Sequence, residues 1–231
     1  MGETGPVPIV LLPGLNGTAR LLEDVRSRLS AKRPAMIIDY PTDRKLGYRE
    51  LVELVRGRAP EGRFAVLGES FSGPIAIELA ASMPDRVAGL ILAVSFARSP
   101  LPFGGSFARS WLSLRMPRPR WAMAAGLMGS QGTPELSRAL VETLASVPNE
   151  VAAFRVGEAI GVDRTARLKE VACPLLYIAG KRDWLLGRRP MLEIQKLAKQ
   201  CEVAEIDGPH MLLATHAPEA AEVIERFCAK L

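Results

Sequence analysis

Short, unbroken apolar runs alternate along this chain with stretches in which apolar residues return every third or fourth position. Residues 7–12 (VPIVLL), 36–40 (MIIDY), 64–67 (FAVL), 89–94 (GLILAV), 174–179 (PLLYIA) and 203–206 (VAEI) read as strands. Most lack the polar alternation of a half-exposed strand, so burial on both faces is expected. Between them, Leu21, Leu22, Val25 and Leu29 recur at helical spacing, and 48–55, 74–83, 191–198 and 218–230 also read as helices. Pro13-Gly14 and Pro41 stop the first two strands, and Pro84 follows the third helix. Strand and helix in regular succession predict an α/β fold: a mostly parallel sheet of about six strands with helices on both faces. Ligands bind such sheets at the carboxyl ends of the strands. The chemistry is therefore expected in the loops after Leu12, Leu67, Ala179 and Ile206.

Residues 98–162 interrupt the alternation. They carry Trp111, Trp121, Met116, Met123 and Met128, together with Arg98, Arg109, Arg115, Arg118 and Arg120. Thr133-Pro134-Glu135 places a capping residue before a proline at the first helical position, and Pro148-Asn149-Glu150 offers a second helix start. The segment is expected to be a helical lid insertion, with 1–97 and 163–231 forming one core domain.

The composition fits that picture and removes several alternatives. Of the 231 residues, 48% are hydrophobic and 24% charged, which suits one globular domain. The net charge of +5 comes without long runs of like charge or interleaved aromatics, so it reads as solubility and not as a nucleic-acid surface. The apolar run 88–97 is too short for a bilayer. No Lys or Arg precedes Arg20, so no secretory leader is expected, and Pro6 spoils a myristoylation signal after Gly2. Cys173, Cys201 and Cys228 are odd in number and lack metal-ligand spacing. With only His210 and His216 available, neither a metal nor another cofactor is expected. A reducing, cytoplasmic location follows, which makes the Asn16-Gly17-Thr18 sequon a chance match.

The strongest chemical signal is Gly68-Glu69-Ser70-Phe71-Ser72-Gly73, where a strand runs into a serine among small residues and a helix begins at once. That is a nucleophile elbow, whose sharp turn lifts the serine hydroxyl clear. Ser72 stands where the pattern has glycine. A serine hydroxyl needs a base. His210, after the last strand in Asp207-Gly208-Pro209-His210, is at the right sheet edge, while His216 is expected to face solvent. An imidazole base needs a carboxylate to fix its tautomer. Asp183, just past the fifth strand, is the first choice, and Asp207 the weaker one. Asp183 has a competing role as a loop acid paired with Lys181 or Arg182. Residues 94–97 offer no acid. The tetrahedral intermediate needs donors: the N–H of Phe71 and, from the loop 13–18, that of Leu15.

LLPGLNGT (11–18), LGESFSGPIAIELA (67–80), PLLYIAGKRD (174–183) and DGPHMLLATHAPEAAEVIERF (207–227) together resemble the α/β-hydrolase superfamily. The resemblance implies a Ser70–Asp183–His210 triad, an oxyanion hole from Leu15 and Phe71, and a lid. Two features depart from the usual pattern. The chain reaches its first core strand without the two antiparallel strands that most members place before it, and Pro13-Gly14 stands where many have His-Gly. A serine nucleophile sets the chain apart from the haloalkane dehalogenase and epoxide hydrolase branches.

These readings lead to a carboxylesterase acting on a small-molecule ester through an acyl-enzyme on Ser70. Trp111, Trp121, Trp184 and Met211 are the candidate substrate-lining residues. Two alternatives stand beside it. One is a thioesterase or ester hydrolase whose substrate is carried on acyl carrier protein or coenzyme A, with the lid arginines meeting an acidic carrier. The other is a ligand-binding receptor on a hydrolase scaffold. Neither a nucleic-acid nor a membrane partner is expected.

Overall fold

The computed structural model describes residues 5–100 and 120–231. Six strands form one sheet: β1 (Ile9–Leu12), β2 (Ala35–Ile37), β3 (Phe64–Glu69), β4 (Val87–Ala93), β5 (Leu175–Gly180) and β6 (Cys201–Ile206). Their order is β2-β1-β3-β4-β5-β6, and every pairing is parallel. Successive side chains of a strand point to opposite faces, and here both faces are apolar. Val10, Leu12, Val66, Leu90, Leu92 and Tyr177 enter one core cluster; Ile9, Leu11, Ala65, Leu67, Ile91 and Ile178 enter the other. This double burial is why β3 and β4 appear in the sequence as unbroken apolar runs.

The described helices are α1 (Glu23–Ser30), α2 (Tyr48–Arg58), α3 (Gly73–Ser82), α4 (Arg120–Met128), α5 (Pro134–Ser146), α6 (Asn149–Gly161), α7 (Thr165–Glu170), α8 (Arg189–Leu197), α9 (Leu212–Thr215) and α10 (Ala217–Cys228). Helices α2, α3, α7 and α8 cover the first cluster, through Leu51, Ile75, Leu168 and Ile194 among others. Helices α1 and α10 cover the second. Ala217, Ala220, Ala221, Ile224, Phe227 and Cys228 form the apolar stripe of α10, at the spacing one helix face requires.

Residues 98–162 leave and return at one point. Arg98 and Asp163 form an isolated antiparallel bridge; Ser99 N–H donates to the Val162 carbonyl and Arg164 N–H to that of Ala97, each at 2.8 Å. Helices α4, α5 and α6 lie within it. Ala124, Met128 and Leu140 form a small cluster with Leu21 and Met211.

Three local features differ from the expectation. β2 is only three residues long, because the chain swings away after Ile37. Tyr40 N–H donates to the Gly17 carbonyl at 2.8 Å, next to β1, and not along the sheet edge. The short helices α7 and α9 are absent from the sequence reading, since one turn of helix leaves no periodicity to detect. β6 begins at Cys201, and its partly exposed, alternating burial marks it as an edge strand. Among the described residues, no helix is long and apolar enough to cross a membrane, and no group of His, Cys, Asp and Glu could hold a metal ion.

Candidate active site

The chain passes from β1 outward to β2, then returns to β3 on the other side of β1. This is the switch point at which α/β sheets open a crevice. The loop after Leu12 and the turn after Glu69 therefore face one another across it.

Ser70 has φ 48°, a left-handed conformation rare for a residue with a side chain. Holding it costs on the order of 1–3 kcal/mol, so neighbours must enforce it. Ser95 Oγ donates to the Ser70 carbonyl at 2.5 Å. Gly73 makes that approach possible, since a Cβ there would lie 1.8 Å from Ser95 Oγ. Ser95 is held in turn by Val94, itself at φ 43°, and by Tyr177. The Tyr177 hydroxyl donates to the Ser95 carbonyl at 2.7 Å and accepts from the Ser95 N–H at 3.2 Å. The ends of β4 and β5 thus buttress the turn that follows β3.

Ser70 Oγ lies 2.9 Å from His210 Nε2, and His210 Nδ1 lies 2.9 Å from Asp183 Oδ2. Asp183 Oδ1 accepts from the N–H groups of Leu185 and Leu186 at 3.0 and 3.1 Å. That carboxylate is fixed, and His210 and Asp183 are only 4% and 7% exposed. With a proton on Nδ1 directed at Asp183, Nε2 is left with a lone pair toward the serine. The rival residues are occupied elsewhere. Asp207 forms a two-point pair with Arg182 at 2.8 and 2.7 Å, so Arg182 is not Asp183's partner either. His216 is half-buried, not solvent-facing, with Nδ1 2.8 Å from Thr215 Oγ1.

Across the crevice, the loop after β1 is bonded almost completely. Gly14 N–H donates to Glu69 Oε2 at 3.1 Å, Gly17 N–H to the Gly14 carbonyl at 3.0 Å, and Thr18 N–H to Asn16 Oδ1 at 2.8 Å. The Leu15 N–H takes part in none of these bonds. Phe71 is the second residue of the short helical turn Ser70–Ser72, whose first N–H groups lack intrahelical acceptors. Tyr48 fixes Phe71 by stacking at 4.8 Å and by donating its hydroxyl to the Phe71 carbonyl at 3.1 Å.

Two of the departures from the family pattern, Ser72 and Pro13, meet in space. Ser72 Oγ donates to the Pro13 carbonyl, and the Tyr40 hydroxyl lies 2.6 Å from Ser72 Oγ. A serine hydroxyl has one proton, so the tyrosine is the donor to it. Serine in place of glycine thus ties the turn after β3 to the proline that begins the loop after β1. Glu69 is the other tie. Burial pushes its carboxyl up to about 7, opposed by charge on His210 and by the Gly14 N–H.

Of the candidate lining residues, Met211 is buried beside Met128 and Leu140, and its N–H donates to the Leu127 carbonyl at 3.2 Å. Trp184 is 65% exposed and donates its indole N–H to the Gly126 carbonyl. Trp121 is 69% exposed, and Trp111 lies outside the described residues. Sequence reasoning missed Glu69, Tyr40, Ser95, Tyr177 and Arg155. Arg155 did leave a signal: it sits four residues from buried Val151 and four from Ala159, on the inward stripe of α6.

Residues 9–225 match the model of the alpha/beta hydrolase family. A pimeloyl-[acyl-carrier protein] methyl ester esterase of Xanthomonas campestris is 30% identical, over 71% of this chain and 70% of its own length. A chain of Azorhizobium caulinodans with the provisional name carbamate hydrolase RutD is 25% identical, over 97% of this chain and 92% of its own. Among solved structures, an enol-lactonase from Burkholderia xenovorans superposes with a TM-score of 0.85 at 16% identity, covering 99% of this chain and 94% of that one. The fold, the order of its elements and these likenesses agree: the chain belongs to the alpha/beta hydrolase family.

Proposed function

We propose that the protein is a serine hydrolase that cleaves small carboxylic esters through an acyl-enzyme on Ser70. The observation that carries this reading is the unbroken path from Ser70 Oγ through the His210 ring to the Asp183 carboxylate, 2.9 Å at each step. His210 Nε2 takes the proton from Ser70 as Oγ attacks the ester carbonyl. Asp183 stabilises the imidazolium that results without taking its proton. The Leu15 and Phe71 N–H groups receive the oxyanion. The tetrahedral intermediate collapses as His210 passes the proton to the leaving alkoxide. Water, deprotonated by the same imidazole, then attacks the acyl-enzyme, and Ser70 leaves with the proton returned to it. The activities named for the three similar proteins act on an ester, a carbamate and a lactone, all of which present an acyl carbon to a nucleophile. Residues 98–162 serve as the lid, with α4 and α5 packed beside the His210 loop through Met211 and Leu127.

The test is hydrolysis of p-nitrophenyl esters of graded acyl length by the wild type and by Ser70→Ala. Turnover should fall by about 10⁴- to 10⁶-fold in the variant. Equal activity in both would remove the assignment.

A second reading is favoured by the 30% identity to an esterase whose named substrate rides on acyl carrier protein. The same chemistry would then act on a carrier-bound ester. Activity on that substrate should fall steeply between low and high salt while p-nitrophenyl ester hydrolysis does not. A flat salt response on the carrier-bound ester counts against it.

A further inference from the structure

Arg155 projects from α6, inside residues 98–162, into the core and is fully buried. Nη1 donates to the carbonyls of Leu15 at 2.8 Å and Asn16 at 3.1 Å, and Nη2 donates to that of Pro41 at 2.8 Å. The guanidinium carbon lies 5.8 Å from the centre of the Tyr40 ring. Among the described residues, no carboxylate pairs with it and no group offers Nε a hydrogen bond. Burying a cation without an anion is expensive, so an arginine held by three neutral carbonyls calls for an explanation.

The carbonyls it has found supply one. Two of the three belong to the loop that carries the Leu15 N–H. Glu69 grips this loop from the β3 side through the Gly14 N–H. Arg155 grips it from the α6 side, at the next two carbonyls. Gly14 O and Gly17 N–H are spent on each other, and Gly17 O accepts from Tyr40. Fixing the Leu15–Asn16 peptide fixes the ψ of Leu15, which limits rotation of the neighbouring peptide that bears the Leu15 N–H. A backbone gripped at both ends has its free donor aimed before any substrate arrives, which is what stabilising a developing charge requires. Gly17 shows how closely the grip fits. Its φ is +75°, and a Cβ on it would stand 2.5 Å from Arg155 Nη1.

We propose that Arg155 is a positioning residue for the oxyanion-binding loop, holding the Leu15 donor in register from a helix of the insertion. The inference rests on the serine-hydrolase reading of the same site. It divides the insertion in two. Helices α4 and α5 pack beside the His210 loop as cover, while α6 is part of the machinery. Glu158 roots α6 one turn further on, accepting from the Tyr48 N–H at the start of α2 at 3.0 Å.

The experiment uses Arg155→Met, Arg155→Lys and Gly17→Ala. For each variant it measures steady-state ester kinetics, inhibition by a boronic acid that forms a tetrahedral adduct on Ser70, and thermal unfolding. In Arg155→Met, kcat should fall about tenfold to a hundredfold, less than the loss of a whole oxyanion donor, with KM nearly unchanged. The boronate inhibition constant should rise in step. Arg155→Lys, which restores one donor and the charge, should recover part of the loss. Gly17→Ala, which displaces the guanidinium from the loop side, should show the same selective loss and carries the test if Arg155→Met does not fold. Full kcat in a folded variant, or a loss of activity with boronate affinity intact, would overturn the proposal. A fluorophosphonate probe separates the two layers. If it labels wild-type Ser70 and the Arg155 variants keep full kcat, only the positioning role falls. If Ser70 is not labelled, the serine reading falls and takes Arg155's role with it.

Discussion

Strands β3 and β4 are buried along their whole length, whereas among the described side chains of α4 and α5 only Ala124, Met128, Leu140 and Thr143 are buried, and Trp121 and Met123 are exposed. Helices α4 and α5 reach the core at Leu21 and at Met211, the residue after His210, and the difference in packing bears on the proposed division of work. A residue at the end of a fully packed strand cannot relax without disturbing both faces of the sheet. Ser70 and Val94 can therefore be kept in the left-handed region, where a looser framework would let them go. A helix pair held by a small cluster can shift as a unit without breaking the sheet. That suits the proposed role of α4 and α5 as cover over a site that substrate must enter. Arg155 and α6 bridge these regimes: the chain belongs to the insertion by position, but the side chain is as buried as any in the sheet.

The contrast can be broken in several ways. The largest effect should come from Asp183→Asn. It leaves the His210 contact in place but favours the wrong imidazole tautomer, lowering kcat by roughly 10⁴-fold while thermal unfolding changes little. A small loss would mean another group orients His210.

Leu92→Ala in β4 should cost about 3–4 kcal/mol of global stability, measured by denaturant unfolding, because the cavity it leaves is walled by both neighbouring strands. Leu140→Ala on α5 should cost roughly half as much in the same experiment and should speed amide exchange in α4 and α5 selectively. Equal costs with uniform exchange would show that insertion and sheet unfold as one unit.

Glu69 makes the contrast depend on pH. Its carboxyl is raised by burial to about 7 in the folded protein from an ordinary 4.5. The folded state therefore holds the proton more tightly than the unfolded chain does. The associated stability is fully present below about pH 4.5 and is lost as pH rises toward 7, with a slope of at most about 1.4 kcal/mol per pH unit. Glu69→Gln keeps an acceptor for the Gly14 N–H and has no charge to bury, so it should flatten that slope. A slope unchanged in the variant would assign it to other groups. The smallest effect should come from Trp121→Ala, whose exposed ring should leave stability within about 0.5 kcal/mol. A larger loss would show that the ring is packed.

Much of this was legible from local pattern. Unbroken apolar runs marked the parallel strands, because a strand buried on both faces has no position left for a polar residue. The elbow was visible because a strand that turns directly into a helix brings the residues two before and two after the serine together, and Gly68 and Ser72 are small enough for that approach. His210 and Asp183 were legible by their place after strands, since the sheet gathers its strand ends along one edge. Ser72 appeared in sequence as a flaw in a motif, and only folding revealed it as the donor to Pro13 and the acceptor from Tyr40.

The sequence by itself determined the order of elements, the parallel sheet and the edge on which the polar residues gather, because these follow from periodicity and turn chemistry within a few residues of one another. The tertiary structure alone decided the partners: Asp207 taken by Arg182, Ser95 under the elbow, Glu69 on Gly14, and Arg155 on the carbonyls of a loop 140 positions away. Those contacts join residues far apart in the chain, through hydrogen bonds whose worth depends on burial. No local pattern records which donor will be buried beside which acceptor.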